Sequence, residues 1–278
     1  LDNYLPKLVS AGKRIAICDQ VEDPKLAKGI VKREVIEIIT PGTAYPGNDE
    51  ERKNNFLSSL TSNGDKYGLS FLDLSTGEFF IAEGDIHIIH DLFIKFAPTE
   101  IIVNEKEGIQ KLDWILGSNL FITDIDEWFF DYDLSRSALL EHFKVNSLKG
   151  FGCDGMTIGI TAAGVILRYI TNNIQFSANH ITALLPIKPE GKMGLDSFTI
   201  RNLELFNSLS TQGTHGTLLS ILDKTLTAGG GRMLRSRLVS PLTEKKAIDK
   251  RLSILDGFYK NDLLRSEFRR RLSNAGDL

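Results

Sequence analysis

Apolar and polar positions change rhythm along the chain, and the changes divide it. Residues 3–11 carry a short helical pattern. Residues 14–18 and the alternating, β-branched run VKREVIEIIT at 31–40 predict two strands, with Pro24 and Gly29 bounding the loop between them and Pro41-Gly42 turning the chain afterwards. One helix and two strands in forty residues cannot enclose a core, so this stretch reads as the tail of a domain. The charged segment PGNDEERKN at 46–54 then serves as a linker. Three strand candidates follow at 56–61, 67–74 and 78–82, separated by Asn63-Gly64 and Ser75-Thr76-Gly77, turns short enough to join antiparallel neighbours. A helix over 86–96 with Ile86, Ile89, Phe93 and Phe96 on one face ends at Pro98. Strand 100–103, a helical piece at 108–116 and strand 120–123 complete the order β-β-β-α-β-α-β. That order predicts a mixed sheet of ribonuclease-H-like topology.

The period is helical from there on. Helices are predicted over 134–144 and 156–171, followed by a loop-rich connector at 176–194 with Pro186 and Pro189. In 201–242, apolar positions recur at Leu203, Leu205, Phe206 and Leu209, then 218–222, then Met233, Leu234 and Leu238, punctuated by Gly213, Gly216 and Gly229–Gly231. These are short helices that must bury their faces on one another, with the glycines as expected hinges. Thr243 is the expected cap of a helix from Glu244 to Lys260, and a last helix spans 262–272. The fold class is therefore α/β followed by all-α, with expected divisions at 1–45, 46–173 and 174–278.

Composition adds one asymmetry. The 278 residues are 42% hydrophobic and 25% charged with a net charge of −3, ordinary for a globular chain, and no apolar run reaches a membrane span. Between 46 and 133 there are 18 Asp and Glu against 6 Lys and Arg, whereas 224–271 holds 13 Lys and Arg against 5 Asp and Glu. An acidic middle and a basic end imply separate modules with different neighbours. Cys18 and Cys153 lack metal or CxxC spacing and fit free thiols in a cytoplasmic protein. Starting at Leu1 and stopping at Gly276-Asp277-Leu278, the chain reads as an internal piece of a longer one.

Candidate chemistry is sparse. Asp73 ends a strand in FLDLSTGEF, and with Glu78, Glu100 and Asp124 it is the only carboxylate group with a claim to a metal-dependent nuclease. The competing reading of Asp73 is a turn capped together with Ser75 and Thr76. His87 and His90 lack further ligands at metal spacing. GFGCDG at 150–155 has the form GxGxxG but follows a helix, and no GxxxxGK[ST] occurs, so no phosphate loop is present. Arg232, Arg235, Arg237, Arg265 and Arg269–Arg271 form a basic run that can face phosphates or water. Lys32 and Arg33 start a strand from which a side chain can reach a phosphate.

Taken together, NYLPKLVSAGKRIAICDQVEDP at 3–24, VKREVIEIITPGT at 31–43, FLDLSTGEF at 71–79, LKGFG at 148–152, MGLDSFTIRNLEL at 193–205 and LLSILDKTLTAGGGRMLRSRLVSPL at 218–242 resemble the bacterial MutS mismatch-repair proteins. The resemblance runs the length of the chain in family order. It implies that 1–45 is the end of the mismatch-recognition domain, 46–173 a ribonuclease-H-like connector without nuclease activity, and 174–278 the start of a helical lever domain. It implies no catalytic residue, cofactor or metal here, ATP and magnesium being bound elsewhere in the parent. The implied partners are mismatched duplex DNA, a MutL-type repair protein and a second copy in the parent homodimer, with no membrane. Arg33 falls where the family places a DNA-backbone contact. On the connector, Arg136, Ser137 and Glu141 are the expected partner-facing positions.

Overall fold

The structure, a computed structural model, describes residues 4–22, 31–44, 51–118, 120–173, 178–188, 191–211 and 213–276. The turn residues Pro24 and Gly29, positions 46–50 of the linker, and Pro189 lie outside the described residues. The chain forms two compact units, Leu1–Gly47 with Asn55–Ile187, and Asn48–Asn54 with Lys188–Leu278.

In the first unit, helix α1 (Leu5–Ser10) precedes an antiparallel ribbon of β1 (Ile15–Gln20) and β2 (Arg33–Ile39), with a register shift between Ile17 and Cys18. The main sheet contains β3 (Phe56–Asn63), β4 (Lys66–Asp73), β5 (Phe79–Gly84), β6 (Glu100–Asn104), β7 (Phe121–Ile125) and β8 (Leu185–Pro186) in the order β7-β6-β3-β4-β5-β8. The β3-β4-β5 meander is antiparallel, while β6, β7 and β8 join parallel to their neighbours. The short strand β8 is a departure from the expected loop at 176–194: its pairing with Phe80 and Ile81 has no local sequence pattern.

Both faces of this mixed sheet are covered. Leu60, Leu69, Phe71, Ile101 and Val103 pack under α2 (Ile86–Phe96) through Ile89 and Phe93, whose N-cap Asp85 accepts from the amides of His87 and Ile88. The small helix α3 (Asp113–Leu116) adds Ile115 to the same cluster. On the opposite face, Leu57, Leu72, Phe79, Ile81 and Ile102 meet Leu139 of α4 (Tyr132–Phe143) and Ile160, Ala163, Ile166 and Ile170 of α5 (Thr157–Asn173). Burial on two faces is why the central strands are buried along nearly their whole length, with small Ser and Thr side chains among the apolar ones in β3 and a continuous Ile-Ile-Val run in β6. Helix α5 comes unusually close to its neighbours. A Cβ on Gly68 would lie 2.3 Å from the Ile158 backbone, and one on Gly164 would lie 2.3 Å from Ser135 Cβ.

The second unit is helical: α6 (Ser197–Asn202), α7 (Leu218–Leu222), α8 (Ala228–Leu238), α9 (Lys245–Lys260) and α10 (Asp262–Leu272). Side chains of Asp196, Thr217, Thr227 and Asn261 cap four of these starts. Three expectations change. The apolar repeat at 203–209 is not helical, because α6 stops at Asn202 and Glu204 sits at φ 46°, turning Leu205 inward. Gly229–Gly231 is not a hinge between elements but lies within the first turns of α8. Glu244, not Thr243, is the N-cap of α9, and its side chain makes no cap hydrogen bond. Among the described residues, no helix is long and apolar enough to cross a membrane.

Candidate nucleic-acid and partner surfaces

Arg33 opens β2 opposite Gln20 and is exposed. Its neighbours Lys32 and Glu34 pair with each other at 2.5 Å. A guanidinium at the rim of a two-stranded ribbon can reach a phosphate without touching a base edge.

Asp73, by contrast, is inside. Its Oδ1 accepts from the Ser75 amide (2.9 Å), the Ser75 hydroxyl (2.6 Å) and the Thr76 amide (3.3 Å), while Oδ2 accepts from the Asn55 amide (3.2 Å). The residue is fully buried. These donors make it the organising side chain of the β4–β5 turn. Glu100 is also fully buried and turned to hydrogen-bond donors, whereas Asp124 is exposed on β7. Among the described residues, no three His, Cys, Asp or Glu side chains gather closely enough to share an ion.

Helix α4 begins at N-cap Asp131, which accepts from the Leu134 amide. Ser135 and Leu139 are buried toward α5, and the His142 imidazole nitrogen lies 2.8 Å from the Ile181 carbonyl. Ser137 and Glu141 stand exposed one helical turn apart, while Arg136 is half-buried. Two apolar side chains that the helical period did not single out border this face: Leu134 is 50% exposed and Trp128, just upstream, 57% exposed. Arg168 of α5 braces that corner, donating to the Phe129 carbonyl at 2.7 Å with its guanidinium 4.5 Å from the Phe129 ring and 5.3 Å from the Trp128 ring. Burial pulls its pKa below the ordinary arginine value, with Asp131 opposing.

The basic run of the helical unit is largely spoken for. Arg232 donates to the Glu51 carbonyl, and Arg235 lies 4.3 Å over the Phe206 ring, where burial lowers its pKa. Arg265 reaches the Phe258 and Tyr259 carbonyls at the end of α9, Arg269 the Lys224 carbonyl, and Arg270 and Arg271 share Glu267. Arg232, Arg265 and Arg269 thus hold loops and a helix end, whereas Arg270 and Arg271 pair within α10 and stay exposed.

Arg52, in the charged linker, carries no local signal that would single it out. Its guanidinium pairs with Asp223 (3.3 Å) and donates to the Thr225 carbonyl (3.1 Å). Its side chain lies against Gly231, where a Cβ would stand 3.2 Å from Arg52 Cβ. Burial alone would raise the Asp223 pKa, but the Thr225 hydroxyl and amide together with Arg52 hold it below the usual carboxylate value. A contact across some 170 residues leaves no local pattern to read.

Comparison with known proteins follows the same order along the chain. The family models for MutS domain I, MutS domain II and MutS domain III match residues 1–48, 55–182 and 198–278 in succession. The DNA mismatch repair protein MutS of Parabacteroides distasonis is 41% identical over 279 residues, covering 100% of this chain and 32% of that protein. The namesake proteins of Cytophaga hutchinsonii and Porphyromonas gingivalis are 42% and 38% identical, again over 100% of this chain. The chain therefore spans about a third of the length of the curated relatives it matches.

Proposed function

Because the chain belongs to the MutS family, we propose that it works in DNA mismatch repair as the transmission segment of a longer protein. In this reading 1–45 closes the mismatch-recognition domain, 46–173 is the ribonuclease-H-like connector, and 174–278 begins the lever. The observation that carries it is the succession of the three MutS domain matches in order along the chain. The exposed cation Arg33 contacts the DNA backbone. The α4 surface around Arg136, Ser137 and Glu141, with Leu134 beside it, receives a MutL-type partner. The parent is cytoplasmic, acts as a homodimer and hydrolyses ATP with magnesium. No GxxxxGK[ST] loop occurs in this chain, so nucleotide chemistry is assigned to none of its residues.

The helical unit supports the lever assignment through its surface. Leu252, Leu255, Tyr259 and Leu263 are exposed along α9 and the start of α10, apolar faces suited to packing against further helices. A mechanical element of this kind transmits only if sites at its two ends bias the same pair of states.

The test is Arg33→Ala in the full-length protein. Fluorescence anisotropy with a mismatched duplex, titrated over salt, should show weaker binding across sequences and a salt slope reduced by about 1. Unchanged affinity and slope would remove Arg33 from the DNA contact.

A further inference from the structure

The turn that ends the ribbon is gripped by side chains of the main sheet from two sides. Thr40 and Thr43 are buried, and the Thr40 carbonyl accepts from the amides of Thr43 (3.1 Å) and Ala44 (3.0 Å). The Gly42 amide donates to Glu100 Oε2 at 2.9 Å. Glu100 starts β6 and is fully buried; its Oε1 accepts from the Thr123 hydroxyl on β7 (2.7 Å) and the Tyr169 phenol on α5 (3.3 Å), and Thr40 supplies a further side-chain hydrogen bond. The Gly42 N–H can only donate, while the three hydroxyls can donate or accept, so the carboxyl group is held at both oxygens. Burial pushes the Glu100 pKa up while those four partners pull it back. Burial first, and the Glu100 charge second, push the Tyr169 phenol up to about 12, which keeps it a donor.

Asn55 grips the same turn from the start of β3. Its side-chain amide donates to the carbonyls of Pro41 and Ala44, both at 2.8 Å, and its Oδ1 accepts the Thr99 hydroxyl at 2.6 Å, which fixes the orientation of the amide. Gly42 is tightly fitted, because a Cβ there would lie 2.7 Å from Glu100 Cβ and 3.0 Å from Leu57 Cδ1. A two-stranded ribbon is marginal by itself in water, so its order depends on such attachments.

We propose that Glu100 and Asn55 form a socket for the Thr40–Ala44 turn, a positioning device that makes the β1–β2 ribbon and the main sheet move as one body. Glu100 and Asn55 clamp opposite polarities of the turn: the carboxylate takes its N–H, and the amide takes its carbonyls. The socket rests on the transmission reading only for its purpose, which is to carry displacement at Arg33 into the sheet.

Amide hydrogen exchange on the 278-residue chain tests it with Asn55→Ala, Glu100→Gln and Gly42→Ala. In each variant the Gly42-region and β1–β2 amides should exchange at least about tenfold faster, while β4 and β5 amides change by less than about threefold. Glu100→Gln keeps the shape but removes one of the two acceptor oxygens shared by the Gly42 amide and the three hydroxyls, and Asn55→Ala acts from the half-buried start of β3, so loss of fold in the first leaves the second decisive. Ribbon exchange unchanged in Asn55→Ala, or ribbon and sheet accelerating by the same factor, overturns the socket. No DNA enters this measurement. A ribbon released in these variants together with unaltered DNA binding by Arg33→Ala would uphold the socket and refute the DNA contact; the opposite pair of results would do the reverse.

Discussion

Replacing one glycine by alanine in two helices should move stability in opposite directions. In α5, Gly164 faces α4 so closely that a Cβ would lie 2.3 Å from Ser135 Cβ, 2.4 Å from its Cα and 2.6 Å from its carbonyl oxygen. Two of these three obstacles are backbone, so no rotamer change relieves them, and α4 and α5 must separate along a contact that buries Leu139 and Ala163. Overpacking of this kind costs about 1–3 kcal/mol, and rigid obstacles place it at the upper end. Helix propensity opposes it by about 1 kcal/mol in favour of alanine. The net expectation for Gly164→Ala is a loss of about 2 kcal/mol, roughly a thirtyfold fall in the folding equilibrium. Gly257, exposed within α9, has no such neighbour within 4 Å, so Gly257→Ala should stabilise its own unit by about 0.5–1 kcal/mol. The assays separate cleanly. Trp114 and Trp128, the only tryptophans, both lie in the first unit, so urea titration followed by their fluorescence reports Gly164→Ala, and amide exchange along α9 reports Gly257→Ala. A Gly164→Ala chain as stable as the parent would refute the close helix crossing.

The remaining predictions concern the two carboxylates that hold loops. Asp223 has its folded pKa depressed, so its contribution is fully present above its ordinary value of 3.8 and is lost as pH falls through the folded value. With Arg52 partly exposed to solvent, that contribution should be about 1 kcal/mol, and the acid-induced loosening of amides in 218–232 should shrink in Asp223→Asn. An identical acid response in wild type and variant would count against the Arg52–Asp223 grip. For Asp73→Asn, the amide cannot accept from both Ser75 and Asn55, so urea titration by tryptophan fluorescence should show a loss of about 1–3 kcal/mol. Full stability in that variant, together with loss of a magnesium- or manganese-dependent DNA cleavage seen in wild type, would restore the nuclease reading.

The periodic parts of the chain were legible because their cause is local. The alternation at 56–61 and 67–74 yields β3 and β4, the one-sided stripe of Ile86, Ile89, Phe93 and Phe96 yields α2, and 262–272 yields α10, all within two or three residues of expectation. Asp73 was legible as a turn former, since the Asp-x-Ser-Thr spacing brings its own donors. The sequence motifs likewise sufficed for the family. Where the period misled, a backbone event intervened: Glu204 at positive φ breaks the repeat at 203–209, and α8 absorbs three glycines because Thr227 caps its start.

What only the tertiary structure decided is every pairing between distant residues. Glu100 with Gly42, Asn55 with Pro41, Arg52 with Asp223 and β8 with β5 span from 14 to over 170 positions, and the partners share no spacing rule. Helical and strand periods report which side of an element is apolar, because burial acts on each residue separately. A buried carboxylate is tolerated only where donors converge on it, and which donors converge is fixed by how the sheet, the α5 helix and the ribbon turn are packed.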